Sequence, residues 1–196
     1  IVAVGHLIPN IIGCNISHNN IVGIAAFNAK IYKSIISNNG KGISPSGAWY
    51  GWTLFDISYS TITGNKENGI ILNGTNTIHF CNIYGNTPYD VVNYATYDFW
   101  GESGNVNATS NWWGTTNATE IEQHIYDYWD DYNLGFVYYQ PFLDSPVTIP
   151  PISHDLAITN VTASPYSDTS YHIRVDVFNE GVYPETLINV TVYYDS

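Results

Sequence analysis

The sequence predicts an all-β fold: a parallel β-helix closed by one short α-helix and followed by part of an Ig-like β-sandwich. Three features carry that expectation: a fourfold repeat from Ile11 to Val91, a helix-start signal at Thr119, and two-residue alternation after a proline-rich stretch. In the repeat an apolar residue is followed by a small one at +3, an Ile at +5 and an Asn at +8. The copies are Ile11, Cys14, Ile16, Asn19; Ile31, Ser34, Ile36, Asn39; Ile57, Ser60, Ile62, Asn65; and Ile78, Cys81, Ile83, Asn86. Gly23-Ile24, Gly42-Ile43 and Gly69-Ile70 follow the first three, and Asp90-Val91 stands in that place in the fourth. Copies that start 20, 26 and 21 residues apart are short stacked coils, each burying a face only against its neighbours. The small residue and the Ile, two apart, are expected on one strand face, with Asn15, Ile35, Thr61 and Asn82 between them turned to water. Asn19, Asn39, Asn65 and Asn86 should stack as a ladder, hydrogen-bonding along the axis and satisfying backbone groups at a tight corner.

The other elements follow in chain order. Ile1 to about Ile12 reads as an incomplete first coil without a polar cap, so upstream coils are expected to be missing or a neighbour to cover this end. With no Met in the chain and no signal-peptide pattern at its start, Ile1 is expected to begin a processed product or a fragment. The longer second copy holds an insertion from Ser44 to Trp52, whose Trp49, Tyr50 and Trp52 are candidates for stacking on sugar rings or packing on a partner. Covering the side of the helix is the plainer role for them. A fifth coil is expected from Tyr94 to Gly114, with Val106, Ala108 and Asn111 matching Cys81, Ile83 and Asn86. Thr119 to Glu122 reads as a capping box with Thr119 as N-cap. Ile121, Ile125 and Tyr128 or Trp129 then continue a helix that stops at Asn133 and Gly135 and covers the open coil. Phe136 to Tyr139 gives a closing strand.

Domain boundaries are therefore placed at 1–143 for the β-helix, 144–153 for a linker stiffened by Pro146, Pro150 and Pro151, and 154–196 for the sandwich. Strands are expected around Leu156–Val161, Tyr171–Val177 and Leu187–Tyr194. A closed sandwich needs about seven strands. The tail is thus expected to be truncated or completed by another chain.

Composition narrows the function. Lys and Arg total 5 against 17 acids, for a net charge of −12, which argues against nucleic acid as a partner and against an anionic membrane surface. No apolar run is long enough to span a bilayer. Cys14 and Cys81 share a column three coils apart, roughly 14 Å at a strand spacing of about 4.8 Å. That is too far for a disulfide, so two buried free thiols are expected.

The repeats resemble those of right-handed parallel β-helices in secreted bacterial and archaeal proteins. Asn111-Trp112-Trp113-Gly114 through Ile125-Tyr126-Asp127, Gly135 and Pro141-Phe142-Leu143 is similar to the closing module of such helices. The tail from His154-Asp155-Leu156-Ala157 to Val190-Thr191-Val192-Tyr193-Tyr194 resembles the start of a CARDB-like (cell-adhesion-related) sandwich. The combination implies an archaeal cell-surface or surface-layer protein, although related folds also include carbohydrate-active enzymes.

Catalytic signals are sparse. Asp56, Glu67, Asp90, Asp98 and Glu102 in the coils share no column, whereas glycoside hydrolysis needs two carboxylates about 5 to 10 Å apart. The six histidines (His6, His18, His79, His124, His154 and His172) have no ligand spacing. Asp127, Asp130 and Asp131 form the one dense acidic cluster. Ca²⁺ there would relieve their repulsion at a helix end, and a solvated helix end is the plainer reading; no other cofactor is expected. Glycosylation sequons begin at Asn15, Asn73, Asn107, Asn117, Asn160 and Asn189. The sequence thus leads to a non-enzymatic, extracellular structural or adhesion glycoprotein of a surface layer, sheath or filament. Its partners would be copies of itself, other surface chains or glycans. The alternative is a polysaccharide-binding or polysaccharide-cleaving β-helix.

Overall fold

The computed structural model describes residues 8–46, 52–96, 104–150, 156–167 and 170–179. The chain divides into two compact units, Ile1–Pro150 and Pro151–Ser196.

The first unit is a parallel β-helix with three strands to a coil. The first coil contains β1 (Asn10–Ile12), β2 (Asn15–Ser17) and β3 (Val22–Ala25). The second has β4 (Asn28–Tyr32), β5 (Ile35–Ser37) and β6 (Lys41–Ser44), and the third β7 (Leu54–Ser58), β8 (Thr61–Thr63) and β9 (Ile70–Leu72). The fourth has β10 (Asn76–His79), β11 (Asn82–Tyr84) and β12 (Val91–Asn93). Then come β13 (Val106–Asn107), α1 (Ala118–Gln123), β14 (Ile125–Tyr126) and β15 (Val137–Tyr138). Three parallel sheets result, ordered β1-β4-β7-β10-β13-β15, β2-β5-β8-β11 and β3-β6-β9-β12-β14.

The register is the one the repeat implies. Ile11, Ile31, Ile57 and Ile78 pair in sequence on the first face. Ile16, Ile36, Ile62 and Ile83 do so on the second. Both Ile columns point inward and are buried, joined by Ile24, Ile43, Ile70 and Val91 from the third face. Each such side chain stabilises the fold by about 1.5–3 kcal/mol relative to exposure.

Each of the first four coils turns its first corner on one residue of left-handed backbone: Gly13, Lys33, Tyr59 and Phe80. The small residue follows at once, so Cys14, Ser34, Ser60 and Cys81 sit at the corner rather than on a strand face, as β2, β5, β8 and β11 begin one residue later. There the serine side chains accept backbone N–H groups of the preceding coil: Ser34 Oγ from Cys14 at 3.2 Å and Ser60 Oγ from Ser34 at 3.1 Å. Both thiols are free. Cys81 is buried, which pushes its pKa up to about 12, while Cys14 is only half-buried rather than enclosed as expected.

The fifth coil differs from its expected register. Val106 pairs with Asn76, so Ala108 continues the column of Ile78 and Asn111 takes the corner place of Cys81. Asn111 Oδ1 accepts the Cys81 N–H at 2.8 Å, and its Nδ2 donates to the carbonyls of Ile78 and Ala108 at 2.7 Å each. A residue chosen as an Asn for its carboxamide fits either corner, which is why the pattern alone misassigned it.

The helix is also shorter than expected. Asn117, not Thr119, is the N-cap, its Oδ1 accepting the Thr119 N–H at 3.1 Å, and Glu120 at the third helical position accepts from the Asn117 carboxamide at 3.2 Å. The helix ends at Gln123 because Ile125 and Tyr126 pair with Val91 and Val92, and sheet bonding outweighs continued helical spacing. The end of the β-helix is therefore one more partial coil, not a long helix laid across it.

The first half of the expected linker is docked. Asn82 Oδ1 accepts the Val147 N–H at 2.7 Å and Asn82 Nδ2 donates to the Val147 carbonyl at 3.0 Å, so Asn82 is buried where water was expected. In the second unit, β16 (Leu156–Ser167) and β17 (Ser170–Asn179) form an antiparallel hairpin with two register shifts, over the segments expected as the first two strands. The segment expected as the third strand lies outside the described residues.

Candidate functional site

The second corner of each coil holds the asparagine column. His18, Asn38, Gly64 and Gly85 adopt left-handed backbone, and Asn19, Asn39, Asn65 and Asn86 follow. Each carboxamide oxygen serves two donors of the coil before it. Asn39 Oδ1 accepts from Asn19 N (3.0 Å) and Nδ2 (2.9 Å), and Asn65 Oδ1 accepts from Asn39 N (3.0 Å) and Nδ2 (3.1 Å). Asn86 Oδ1 accepts from Asn65 N (3.1 Å) and Nδ2 (2.7 Å). Each Nδ2 also reaches back to a core carbonyl, Ile16, Ile36 or Ile62. The three inner asparagines are buried, and the ladder satisfies corner backbone that water cannot reach.

Asp90 ends this ladder. Its Oδ1 accepts from Asn86 N at 3.0 Å and Nδ2 at 2.7 Å, the two bonds a fifth asparagine would have accepted. It stands in the glycine place of the fourth Gly-Ile step, and α1 replaces the corner at which the next Asn would have come. Burial pushes the Asp90 carboxyl above its ordinary range, opposed by the Asn86 hydrogen bonds and by nearby His124, whose Nδ1 lies 4.0 Å from Oδ2. These two line a cleft of about 330 Å³ together with Tyr84, Trp113 and Glu120. A carboxyl that holds its proton more tightly when folded stabilises the protein fully below the unfolded carboxylate range, and that contribution is lost as pH rises through the raised folded value. Asp90→Asn should keep the acceptor and remove the buried charge. We expect a variant at neutral pH at least as stable as the parent, with a shallower fall in Tm from pH 4 to 7; a loss above about 1 kcal/mol would contradict this.

Asp127, Asp130 and Asp131 do not gather as one group of three carboxylates. Among the described residues no three His, Cys, Asp or Glu side chains come together as a metal cage. Asp127 is buried. Its Oδ1 accepts the Trp129 N–H at 3.0 Å and its Oδ2 the Val137 N–H at 2.7 Å, while its own N–H donates to Asp130 Oδ2 at 3.2 Å. Asp131 Oδ1 accepts from the backbone and carboxamide of Asn133. Asp127 thus ties the turn that carries Trp129 to the last strand. Burial pushes its carboxyl up, which the two backbone bonds oppose and Asp130 reinforces.

That turn and α1 frame a groove which sequence reasoning missed. Glu122, Trp129, Phe136, Val137, Tyr138, Tyr139 and Gln140 line about 340 Å³ of it, and it continues past Ala118 and Thr119. Trp129 is 65% exposed and Tyr138 50%. Trp129 meets Tyr128 and Phe136 edge-on at 5.6 and 6.0 Å, and Phe136 stacks on Tyr138 at 5.9 Å. The Tyr139 hydroxyl donates to the Ala118 carbonyl at 3.5 Å and accepts from Gln140 Nε2 at 3.4 Å, with Glu122 lining the same groove. Partial burial pushes the Glu122 carboxyl up, the neighbouring Tyr139 hydroxyl opposes this, and Asp127 and Asp130 add to it. The aromatic interleaving of residues 126–132 was the available signal; read as a helix, it did not place these rings beside Tyr138.

The other expected sites are dispersed. Trp49 and Tyr50 lie outside the described residues. Trp52 is 53% exposed, with its ring close over Gly74 of the third coil. Of the sequons, Asn15, Asn107, Asn117 and Asn160 are exposed and Asn73 is half-buried; Asn189 lies outside the described residues. Asn107 Oδ1 accepts from the hydroxyl of its own sequon's Thr109 at 2.9 Å, Asn117 caps α1, and Asn160 donates to Asp176 at 3.1 Å. No helix of the described residues is long and apolar enough to cross a membrane. Comparison with protein-family models, curated proteins and solved structures returned no match.

Proposed function

We propose that this chain is a non-enzymatic structural or adhesion module of an extracellular surface layer, sheath or filament, acting through contacts with other chains. The observation that carries this reading is what the repeated polar groups do. The Asn column, its Asp90 terminus and the Ser and Cys corners bind one coil to the next, so repetition produces a rigid rod rather than a recurring reactive group. Asp56 and Glu67 are exposed on different elements, Glu67 lying 3.9 Å from Lys41, and Asp90 is enclosed. Exposed apolar side chains lie on the lateral faces: Ile12 beside Tyr32 on the first sheet, Ile35 on the second, and Ile21 and Leu54. Such surfaces suit contact with further protein. Exposed sequon asparagines agree with a glycosylated extracellular setting, and the resemblance to archaeal cell-surface proteins with a CARDB-like domain points the same way.

Electron microscopy of extracellular material carrying the native protein tests this. Regular filaments or lattices containing the chain are expected. Isolated monomers that depolymerise a polysaccharide would overturn the proposal.

A further inference from the structure

We infer that the groove between α1 and β15 on the last coil is a binding site for a neutral oligosaccharide. Three observations meet there, and none depends on whether the chain assembles into filaments. First, the rings of Trp129 and Tyr138 are more than half and half exposed, although the Phe136 between them could have supported a buried cluster. Large exposed aromatic faces are costly in water and stabilise a ligand that offers C–H groups to their π-faces. Second, Glu122, the Tyr139 hydroxyl and the Gln140 carboxamide place acceptors and donors along the same groove, the last two hydrogen-bonded to each other at 3.4 Å. Hydroxyl groups, each donor and acceptor, match such a row, whereas a purely apolar partner would leave it unsatisfied. Third, the platform is held before any ligand arrives: the enclosed Asp127 carboxylate accepts one backbone N–H from Trp129 and one from Val137. Preorganisation of this kind lowers the ordering cost of binding.

Charge selects among sugars. The ionisable groups on and behind the groove are Glu122, Asp127 and Asp130, with Tyr138 and Tyr139, and its lining includes no Lys or Arg. A hexuronate chain would bring further negative charge to a site without a cation and is disfavoured. The space of about 340 Å³, extended past Thr119, is in the range of small-molecule sites.

The test is calorimetric titration of the intact chain with cellohexaose, mannohexaose and chitohexaose, and with a hexamer of galacturonate. At least one neutral hexamer should bind, and the galacturonate should bind at least about tenfold more weakly. Trp129→Ala should weaken binding by about tenfold or more, the effect of removing an aromatic anchor. Its exposed position leaves the fold intact, checked by an unchanged Tm. Glu122→Gln, which keeps a hydrogen-bonding group, should bind more strongly than Glu122→Ala. Phe80→Ala, an exposed ring at a corner of the fourth coil, should leave sugar binding unchanged. Lack of binding to every neutral hexamer, stronger binding of galacturonate, or binding indifferent to Trp129→Ala would overturn the assignment. Binding lost in Trp52→Ala but kept in Trp129→Ala would overturn it too, moving the sugar to the second-coil insertion.

Discussion

Asn65→Ala should destabilise the β-helix by about 2–4 kcal/mol, an effect readable as a lower midpoint in urea unfolding of the intact chain. The residue is fully buried and serves both neighbouring coils. Its removal leaves the Asn39 N–H without an acceptor, takes one of the bonds of Asn39 Nδ2, and withdraws the donor aimed at the Ile36 carbonyl. Each enclosed polar group left unpaired costs about 1–3 kcal/mol. Asn19→Ala provides the internal comparison. Asn19 is exposed and donates to Asn39 Oδ1 and to the Ser17 carbonyl, so its loss should cost under about 1 kcal/mol. Equal effects at the two positions would show that the column acts as four separate turn residues and not as a ladder.

Gly42→Ala should cost at least about 3 kcal/mol, for a steric reason that the same column creates. A Cβ there would meet the Gly69 carbonyl oxygen of the next coil and lie 2.9 Å from Asn65 Nδ2 and 3.1 Å from Asn65 Cγ. The backbone oxygen belongs to the residue just before β9 and has nowhere to go, so the coils must separate at the place where the ladder binds them. Gly85→Ala is the comparison: its Cβ would find only Thr63 Oγ1, at 3.7 Å, leaving the left-handed backbone penalty of about 1–2 kcal/mol. Because Gly42 and Asn65 touch, the double variant should lose less than the two single losses added together. Thermal and urea unfolding of the four proteins would check this, and Gly42→Ala as stable as Gly85→Ala would refute the close-packing account.

These two residue types also explain why so much of the first unit was legible. An Ile column needs only apolar side chains at one spacing, and an Asn column needs a carboxamide after each tight corner; both leave a periodic record. The Gly-Ile step was visible as a pattern, but its cause was not. It exists because each glycine lies flush against the asparagine of the following coil, a contact between residues 16 to 23 positions apart. Asp90 was visible as the exception to that step. That its carboxylate turns back to close the ladder depends on α1 occupying the next corner, which no local spacing records.

Legibility failed where one sequence signal fitted two structures. Asn111 carries the carboxamide that both corners use, so its column was decided by the pairing of Val106 with Asn76. Ile121 and Ile125 have helical spacing, yet Ile125 gains more by joining Val91 in a sheet already four coils deep. Asn82 was read as water-facing because three of the four residues in its column are polar, and a segment 65 residues later covers it through Val147. The groove was illegible for the same reason, since Glu122, Trp129 and Tyr138 become neighbours only when the last partial coil closes.

By itself, then, the sequence determined the coil: its period, its inward Ile columns, its asparagine corners and its all-β class, because these follow from steric and hydrogen-bonding demands repeated every turn. Tertiary structure alone decided how the repetition ends and what its last coil presents to solvent. There the next coil is missing as a template, and each side chain takes whichever distant partner the closing chain supplies.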